Sequence, residues 1–257
     1  MTTSSEVNVL PFSNVGKYTG VVTAEIWQKD REEQKPLNYV RIIGERVILE
    51  SVQGNYHGEL KKVFSVASDR NELSDLTRIF GSATGMQNYA SRKSEDEQKI
   101  LQRLEKDASR PYNGNLFSGY HIVHKETGTI IGRIAVGAGY RPGESQSGLI
   151  VREDHKGKGY AKEAICLMVP FAQYLYENKC CVGGAPVDSF TATVLDTNDK
   201  EIAMLKRLGL QYIRPLERAE NYSDDPRSLY GISADKVQER ANALLDTEPT
   251  VKVVKVV

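Results

Sequence analysis

The sequence predicts a mixed α/β protein, because strand patterns and helix patterns alternate along the chain. The apolar run Gly148–Val151 has the character of a strand, and an apolar-faced helical segment, Ala161–Val169, follows it after a short turn. Phe190–Leu195 alternates and is rich in β-branched residues, which is typical of a second strand. A short helix with an apolar stripe comes next and stops at Gly209, a residue suited to the left-handed conformation that ends helices. Two strand–turn–helix units therefore define the fold class and frame the candidate site.

The first of these turns is basic and glycine-rich. Lys156, Gly157, Lys158 and Gly159 lie directly before the helical segment. The first amides of a helix have no intrahelical partner, and the helix dipole places positive charge beside them. Glycine allows a ligand to approach the backbone closely, so the turn suits a phosphate or pyrophosphate. The alternative is a solvated turn in which the glycines only permit tight geometry.

Two common phosphate-binding motifs do not fit this turn. A P-loop requires Lys and then Ser or Thr after its second glycine, whereas Tyr160 follows Gly159. The dinucleotide fingerprint requires a small residue at its sixth position, and counting from Gly157 that position is Lys162. The sequence therefore indicates another kind of phosphate-containing ligand.

The segment Lys156–Ala161 is similar to the acyl-CoA signature [QR]-x-x-G-x-[GA] of the GNAT acetyltransferase superfamily, with Lys156 where Gln or Arg is usual. Downstream, a strand, then Asn198, then a helix ending at Gly209 resemble a second GNAT motif in the same order. Gly44–Leu49 resembles the first strand of the branch that acetylates ribosomal-protein N-termini, and Tyr120–Val136 resembles its hairpin. The resemblance extends roughly from residue 41 to residue 234.

The resemblance implies a mostly antiparallel central sheet, flanked by helices and splayed between the fourth and fifth core strands. It implies acetyl-CoA as co-substrate and no metal. The backbone of Leu149 and Val151 would bind the pantetheine arm, the basic turn would bind the pyrophosphate, and Asn198 would reach the arm. The cofactor-binding residues implied in this way are Leu149, Val151, Lys156, Gly157, Lys158, Gly159, Tyr160, Ala161 and Asn198.

The sequence departs from the family pattern at the positions that carry the general acid and base in many members. Leu205 stands where many members have a Tyr general acid, Glu201 where the ribosomal branch often has Ser, and Gln146 where that branch often has an acidic residue. Glu144 and Tyr140 are nearby substitutes and are the catalytic candidates. Their alternative interpretation is as solvated loop residues.

Three functions are compatible with these observations. The first is acetyl transfer from acetyl-CoA to a primary amine by direct attack, with a protein N-terminus as acceptor. The second is acetylation of a small-molecule amine, such as a polyamine or an aminoglycoside. The third is a CoA-binding module with little catalysis. An acidic acceptor groove would favour a polycationic small molecule, and an open groove would favour a peptide.

Composition bears on the partners of the protein, its location in the cell and the state of its cysteines. The chain has 257 residues and 34 basic against 34 acidic side chains, which argues against broad nucleic-acid binding. No apolar run is long enough to cross a membrane, and the N-terminus lacks the pattern of a signal peptide, so we expect a cytoplasmic protein without a membrane partner. Its three cysteines suit reduced thiols. The sequence leaves the oligomeric state open, a dimer included.

We expect three segments: an N-terminal extension over residues 1–38, an acetyltransferase domain over 39–234, and a C-terminal helix and tail over 235–257. The tail from Thr250 onward is β-prone, and it either pairs with an edge strand or is disordered. Ser94 and Glu97 predict a capping box at the start of a helix. Pro170 predicts a kink or a break in the helix after the basic turn.

Overall fold

A ten-stranded sheet is the central element of the part of the chain that the computed structural model describes, which comprises residues 18–31, 34–64, 71–81, 96–217, 220, 225–246 and 249–255. The strands are β1 Thr23–Arg31, β2 Gln34–Ile43, β3 Val47–Ser51, β4 Gly119–His124, β5 Ile130–Ala138, β6 Glu144–Val151, β7 Cys181–Val182, β8 Ala185–Pro186, β9 Ser189–Leu195, β10 Gln211–Pro215, β11 Arg227–Ser233 and β12 Thr250–Lys255. Strands β7 and β8 form a separate small hairpin.

Helices cover both faces of the sheet. They are α1 His57–Phe64, α2 Glu72–Phe80, α3 Glu97–Tyr112, α4 Tyr160–Glu177, α5 Asp199–Arg207 and α6 Val237–Leu244. Buried side chains of α2 and α3 form one apolar cluster with Val123, Ile130 and Ile150 of the sheet. Buried side chains of α4 form a larger cluster on the opposite face. The alternation of side chains along each strand supplies apolar residues to both layers.

The strand order is β10-β11-β9-β6-β5-β4-β3-β2-β1-β12. Neighbouring strands run antiparallel, except that β6 pairs with β9 and β1 pairs with β12 in parallel. The predicted mostly antiparallel sheet flanked by helices is therefore confirmed, as is the predicted β4–β5 hairpin.

The parallel pair β6 and β9 separates partway along its length. Pairing runs from Glu144 opposite Ser189 to Ser147 opposite Ala192, and no further. Beyond that point β6 stays paired with β5 as far as Val151, and β9 stays paired with β11 as far as Leu195. The predicted splay between the two core strands is thus present, and it opens toward their carboxyl ends.

The sheet extends past both predicted domain boundaries. The boundary between residues 38 and 39 falls inside β2, which pairs with β1 on one side and β3 on the other. At the other end, Thr250–Lys255 pairs in parallel with β1, so the tail takes the strand-pairing alternative over these residues. The division into 1–38, 39–234 and 235–257 stays a prediction, but its outer segments contribute strands to the sheet of its central one.

Two expectations about helices have different outcomes. A break at Pro170 does not occur, because α4 continues from Tyr160 to Glu177 with Pro170 buried inside it. Phe171 and Leu175, after the proline, pack in the same core as the residues before it, and this packing holds the two halves in one helix. Ser94 lies outside the described residues; the residue that caps α3 is Asp96, whose carboxylate accepts from the Lys99 amide at 2.9 Å.

A buried ion pair fastens α3 to the sheet. The Asp107 carboxylate accepts from the Arg133 guanidinium through Nε at 2.8 Å and Nη2 at 2.5 Å. Both side chains are about 5% exposed, so water contributes little to their solvation. Each charge is therefore tolerated in the interior mainly because the other is present.

We predict that Asp107→Ala lowers the free energy of unfolding by about 3–5 kcal/mol, because it leaves the buried Arg133 charge without its carboxylate. Urea denaturation monitored by circular dichroism measures the change. The matched control is Lys99→Ala, which removes an exposed ion pair with Asp96 and should cost no more than about 1 kcal/mol. Equal effects of the two substitutions would contradict this account of the buried pair.

Candidate functional site

The gap between β6 and β9 is lined by backbone amides of β6. The Arg152 amide donates to the Ile131 carbonyl at 2.8 Å, so this pair is a hydrogen-bonded one of the β5–β6 ladder. Hydrogen-bonded and non-hydrogen-bonded pairs alternate along an antiparallel ladder, and the register places Leu149 and Val151 in non-hydrogen-bonded pairs. Their amides therefore point away from β5, toward the side that β9 has left.

The basic turn connects this strand to α4 through two glycines in the left-handed region. Gly157 has a φ of 75° and Gly159 a φ of 85°, values that other residues adopt only with strain. The first intrahelical bond of α4 runs from the Glu163 amide to the Gly159 carbonyl at 3.1 Å. The amides of Tyr160, Ala161 and Lys162 precede this bond, so the helix itself gives them no acceptor. An anion at this end would be stabilised by these donors and by the helix dipole.

The side chains of the turn are held by local contacts. The Lys156 ammonium pairs with the Glu153 carboxylate at 2.5 Å, and its amide donates to the Glu153 carbonyl at 3.1 Å. Lys158 is exposed. The Tyr160 ring lies 5.1 Å from the Arg46 guanidinium, and its hydroxyl is 3.1 Å from His124 Nε2. Among the predicted residues of the turn, Lys156 and Tyr160 thus have side-chain polar groups that are already engaged.

A buried carboxylate anchors the start of α4. Glu163 is 1% exposed, and its carboxylate accepts from the Arg46 amide and from Arg46 Nε, both at 2.8 Å. It also accepts from the Val47 amide at 3.3 Å and from the Tyr18 hydroxyl at 3.1 Å. Arg46 Nη1 then donates to the Lys158 carbonyl at 2.9 Å. These contacts tie the turn and the helix start to β3. Burial raises the pKa of Tyr18 to about 12, so this hydroxyl stays protonated and remains a donor at neutral pH.

An apolar cleft opens where β6 and β9 separate, between the sheet and the helices α4, α5 and α6. Ser147, Gly148 and Leu149 of β6 line it on one side, and Phe190, Thr191 and Ala192 of β9 on the other. Most of its remaining lining is apolar, and among the described lining residues only Glu201 and Arg240 are ionisable. The cleft therefore offers apolar walls together with the Leu149 amide.

Asn198 occupies the N-cap of α5 rather than the lining of this cleft. Its Oδ1 accepts from the Glu201 amide at 3.3 Å, and its Nδ2 donates to Glu201 Oε2 at 2.8 Å. Glu201 itself lines the cleft, and burial raises its pKa from 4.5 to about 7. In the sequence, Glu201 is notable only as a departure from a family pattern. Its position three residues after a capping Asn was the available signal that its side chain and that of Asn198 would meet.

The catalytic candidates Glu144 and Tyr140 lie together at the other end of the β6–β9 pair. Glu144 is 5% exposed, which excludes its alternative interpretation as a solvated loop residue. Its Oε1 accepts from the Tyr140 amide at 3.2 Å and from the Thr191 hydroxyl at 3.0 Å. Tyr140 is partly exposed, with the Arg214 guanidinium 5.7 Å from its ring.

Both candidates line an open pocket in which Glu144 Oε2 lies 3.9 Å from Arg141 Nε, within ion-pair distance. Arg141 pairs with Asp188 at 2.7 Å, and Arg214 pairs with Glu220 at 2.5 Å. Thr191 and Ile232 line this pocket as well as the apolar cleft, so the two spaces share two side chains.

The chain matches the model of a known protein family over strands β6 and β9 and the turn described above. The family described as acetyltransferase (GNAT) domain matches residues 66–211, more than half of the chain. The protein therefore belongs to the GNAT acetyltransferase family and is an acyltransferase, as the sequence motifs predicted. No curated protein sequence matches the chain at a significant level.

Solved structures share the fold at low sequence identity. A GNAT-family acetyltransferase from Bacillus anthracis aligns with a TM-score of 0.56 and 12% identity over 76% of this chain and 99% of its own. A candidate ribosomal-protein-serine acetyltransferase from Vibrio cholerae aligns with a TM-score of 0.51 and 16% identity over 75% and 97%. Spermidine N-acetyltransferase from Vibrio cholerae, solved with CoA and spermine, aligns with a TM-score of 0.52 and 15% identity over 67% and 96%.

The described residues contain neither a cluster of metal-ligating side chains nor a helix that could span a membrane. No group of three or more His, Cys, Asp or Glu side chains that could hold a metal ion is found among them. None of the helices in the described part of the chain is long and apolar enough to cross a membrane.

We predict that the stability of the protein depends on pH through Glu201. A raised pKa means that the folded state holds the proton more tightly than the unfolded state, so its contribution is complete below about pH 4.5 and is lost as the pH rises through about 7. Relative to Glu201→Gln, the wild type should lose about 2–3 kcal/mol of unfolding free energy between about pH 4 and pH 8. Urea denaturation of both proteins across this range measures the difference. Parallel pH curves would show that Glu201 titrates normally.

Proposed function

We propose that the protein transfers an acetyl group from acetyl-CoA to a primary amine by direct attack of the amine on the thioester. The observation that carries this proposal is the separation of β6 from β9, which leaves the Leu149 and Val151 amides without a partner strand on that side, with Leu149 in the lining of the cleft. A strand edge with free amides suits an extended ligand that contains amide groups. A helix N-terminus with two glycines suits the pyrophosphate of the same ligand.

The chemistry of the site fits acetyl-CoA part by part. The apolar walls of the cleft suit the pantetheine chain, with Leu149 of the lining and Val151 further along the same strand edge as its proposed backbone partners. The turn would hold the pyrophosphate through the backbone of Gly157, Lys158, Gly159, Tyr160 and Ala161, with Lys156 adding charge at its edge. The role of Asn198 in this proposal is to hold the Glu201 side chain in the first turn of α5 through a hydrogen bond.

Direct transfer requires that the amine, and not a protein thiol, attacks the thioester. Burial raises the pKa of the Cys166 thiol to about 11 and also raises that of Cys180, so neither is a thiolate at neutral pH. A thiol acts as a nucleophile only when it is ionised. None of the three cysteines is among the residues that line the cleft.

The attacking amine must lose a proton, and Glu144 is the proposed acceptor of that proton. It is buried, hydrogen-bonded to Thr191, and lies on the strand whose next residues begin the cleft. Ser147, where the cleft begins, is three residues along the strand from Glu144, a distance of about 10 Å. The proton would therefore reach Glu144 through water. Tyr140, whose amide binds Glu144, would position it and line the acceptor pocket.

We predict that Glu144→Gln lowers kcat by about 10²-fold or more, because Gln keeps the bond to Thr191 but cannot take a proton. Steady-state assay of thiol release with a saturating amine measures the effect. Glu126→Gln, an exposed acid on the β4–β5 turn, is the matched control and should leave kcat unchanged. If Glu144→Gln and the control behave alike, the amine loses its proton directly to solvent.

The pocket around Glu144 favours a peptide N-terminus over a polyamine as the acceptor. Of the three carboxylates among its described lining residues, Asp188 pairs with Arg141 and Glu220 pairs with Arg214. A polycation would gain from several unpaired carboxylates, whereas the third carboxylate, Glu144, itself lies 3.9 Å from Arg141 Nε and shares that arginine with Asp188. A single terminal amine needs no more than one such group.

The experiment that tests the function is product analysis with acetyl-CoA and a panel of amines. The panel contains peptides with free and blocked N-termini, spermidine, and an aminoglycoside. We expect acetylation of the free N-terminus, located by tandem mass spectrometry. Acetylation of spermidine or the aminoglycoside instead would assign the small-molecule alternative. Tight acetyl-CoA binding without transfer to any amine would assign the CoA-binding module.

We predict that Gly159→Asp abolishes acetyl-CoA binding measured by calorimetry. An Asp side chain would place negative charge and bulk beside the proposed pyrophosphate position, and a Cβ at this residue would lie 3.2 Å from Arg46 Nη2. Gly184→Asp is the matched control, because Gly184 also has a positive φ of 89° but lies in the separate β7–β8 turn. Undiminished affinity in Gly159→Asp would remove the turn from the proposed site.

A further inference from the structure

Among the described residues that line the cleft assigned to the pantetheine arm in the proposed function, Glu201 carries the one carboxyl group. Among the described residues lining this cleft, the side chains that carry a proton on oxygen or nitrogen are Ser147, Thr191, Glu201 and Arg240. Hydroxyls and guanidinium groups give up protons only far above neutral pH. Glu201 is therefore the one described residue of this lining that can donate a proton under ordinary conditions.

The side chain of Glu201 is fixed at one oxygen. Oε2 accepts from Asn198 Nδ2 at 2.8 Å, and the Glu201 amide donates back to Asn198 Oδ1 at 3.3 Å. No hydrogen bond within the described residues engages Oε1, which leaves that oxygen available to carry the proton. Leu205 follows four residues later on α5 and also lines the cleft, so this face of the helix is directed to the cleft.

The surroundings of Glu201 favour its neutral form. Burial raises its pKa to about 7, and the positive charge of Arg227 on β11 partly opposes that rise. Arg240 on α6 is the other charged group that lines the cleft. A carboxylic acid with a pKa near the working pH combines a useful protonated fraction with a strong tendency to give the proton to a more basic thiolate.

We propose that Glu201 is a catalytic residue that donates a proton to the CoA sulfur when the thioester breaks. This inference rests on the proposed function, because it requires that the cleft holds the thioester end of acetyl-CoA. It makes α5, rather than the Glu144 pocket, the source of the proton that the leaving group needs.

The step balances without any other reactant. The amine lone pair forms the new C–N bond, and the electrons of the C–S bond pass to sulfur. The Oε1 proton of Glu201 passes to the same sulfur, giving the free thiol of CoA and the Glu201 carboxylate. The proton that the attacking nitrogen sheds passes to the base, and Glu201 regains a proton from solvent before the next turnover.

The first test is Glu201→Gln, which keeps an oxygen for Asn198 but has no acidic proton. We expect kcat to fall about 10²-fold or more, with the dissociation constant of acetyl-CoA changed by no more than about threefold. The wild-type kcat should also decline as Glu201 ionises, with an apparent pKa near 7, and Glu201→Gln should lack this limb. Asp199→Asn, an exposed acid two residues away, is the matched control and should behave as wild type.

A binding measurement tests the same proposal without turnover. The thiolate of bound CoA absorbs in the ultraviolet, so its pKa can be followed in the complex. A Glu201 carboxylate beside the sulfur should raise this pKa by about one unit or more in the wild type relative to Glu201→Gln. Equal thiol pKa values in the two complexes would place Glu201 away from the sulfur and overturn the proposal.

The outcomes separate this inference from the function on which it rests. Wild-type protein that transfers acetyl groups, combined with an unchanged kcat and pH profile in Glu201→Gln, overturns the inference and leaves the function intact. Wild-type protein that acetylates no amine overturns the function. If Glu201→Gln folds poorly, the wild-type pH profile and the thiol pKa of its CoA complex, compared with free CoA, decide the question.

Discussion

The site depends on one constraint, which is that a backbone amide withdrawn from water must find an acceptor. Strand β6 meets this requirement on one side along its whole length, because β5 pairs with it as far as Val151. On the other side β9 supplies partners only as far as Ser147. The result is a strand edge that stays open inside the sheet, and a ligand running along it would complete the missing ladder.

The geometry of the basic turn is set by residues far away in the chain. The Glu163 carboxylate is stable in the interior because Arg46, Val47 and Tyr18 direct four donors toward it. Arg46 also binds the Lys158 carbonyl, so one side chain holds both the first turn of α4 and the loop before it. Gly157 and Gly159 can adopt the left-handed conformation that the turn requires, and the contacts of Glu163 with Arg46 stabilise that conformation.

The sequence was most informative where structure is local. The strand before the turn, the start of α4, the β4–β5 hairpin and the end of α5 at Gly209 follow from periodicity and from glycine, which act within a few residues. The place of β12 beside β1 could not be read locally, since it depends on parallel pairing between distant segments. Pro170 does not break the helix, because packing of α4 on the sheet outweighs a missing hydrogen bond. The position of Glu201 in the cleft was hidden for the same reason: burial is decided by what α5 packs against.

The position of Thr191 suggests that a ligand in one of the two spaces would change the affinity of the other space for its own ligand. Its side chain lines both the apolar cleft and the pocket of Glu144, and its hydroxyl donates to Glu144. A ligand that moves Thr191 from one side alters the space offered to a ligand on the other. By thermodynamic reciprocity, the change in affinity that the first ligand causes for the second equals the change that the second causes for the first. If both spaces bind ligands as proposed, Thr191 would couple the two sites.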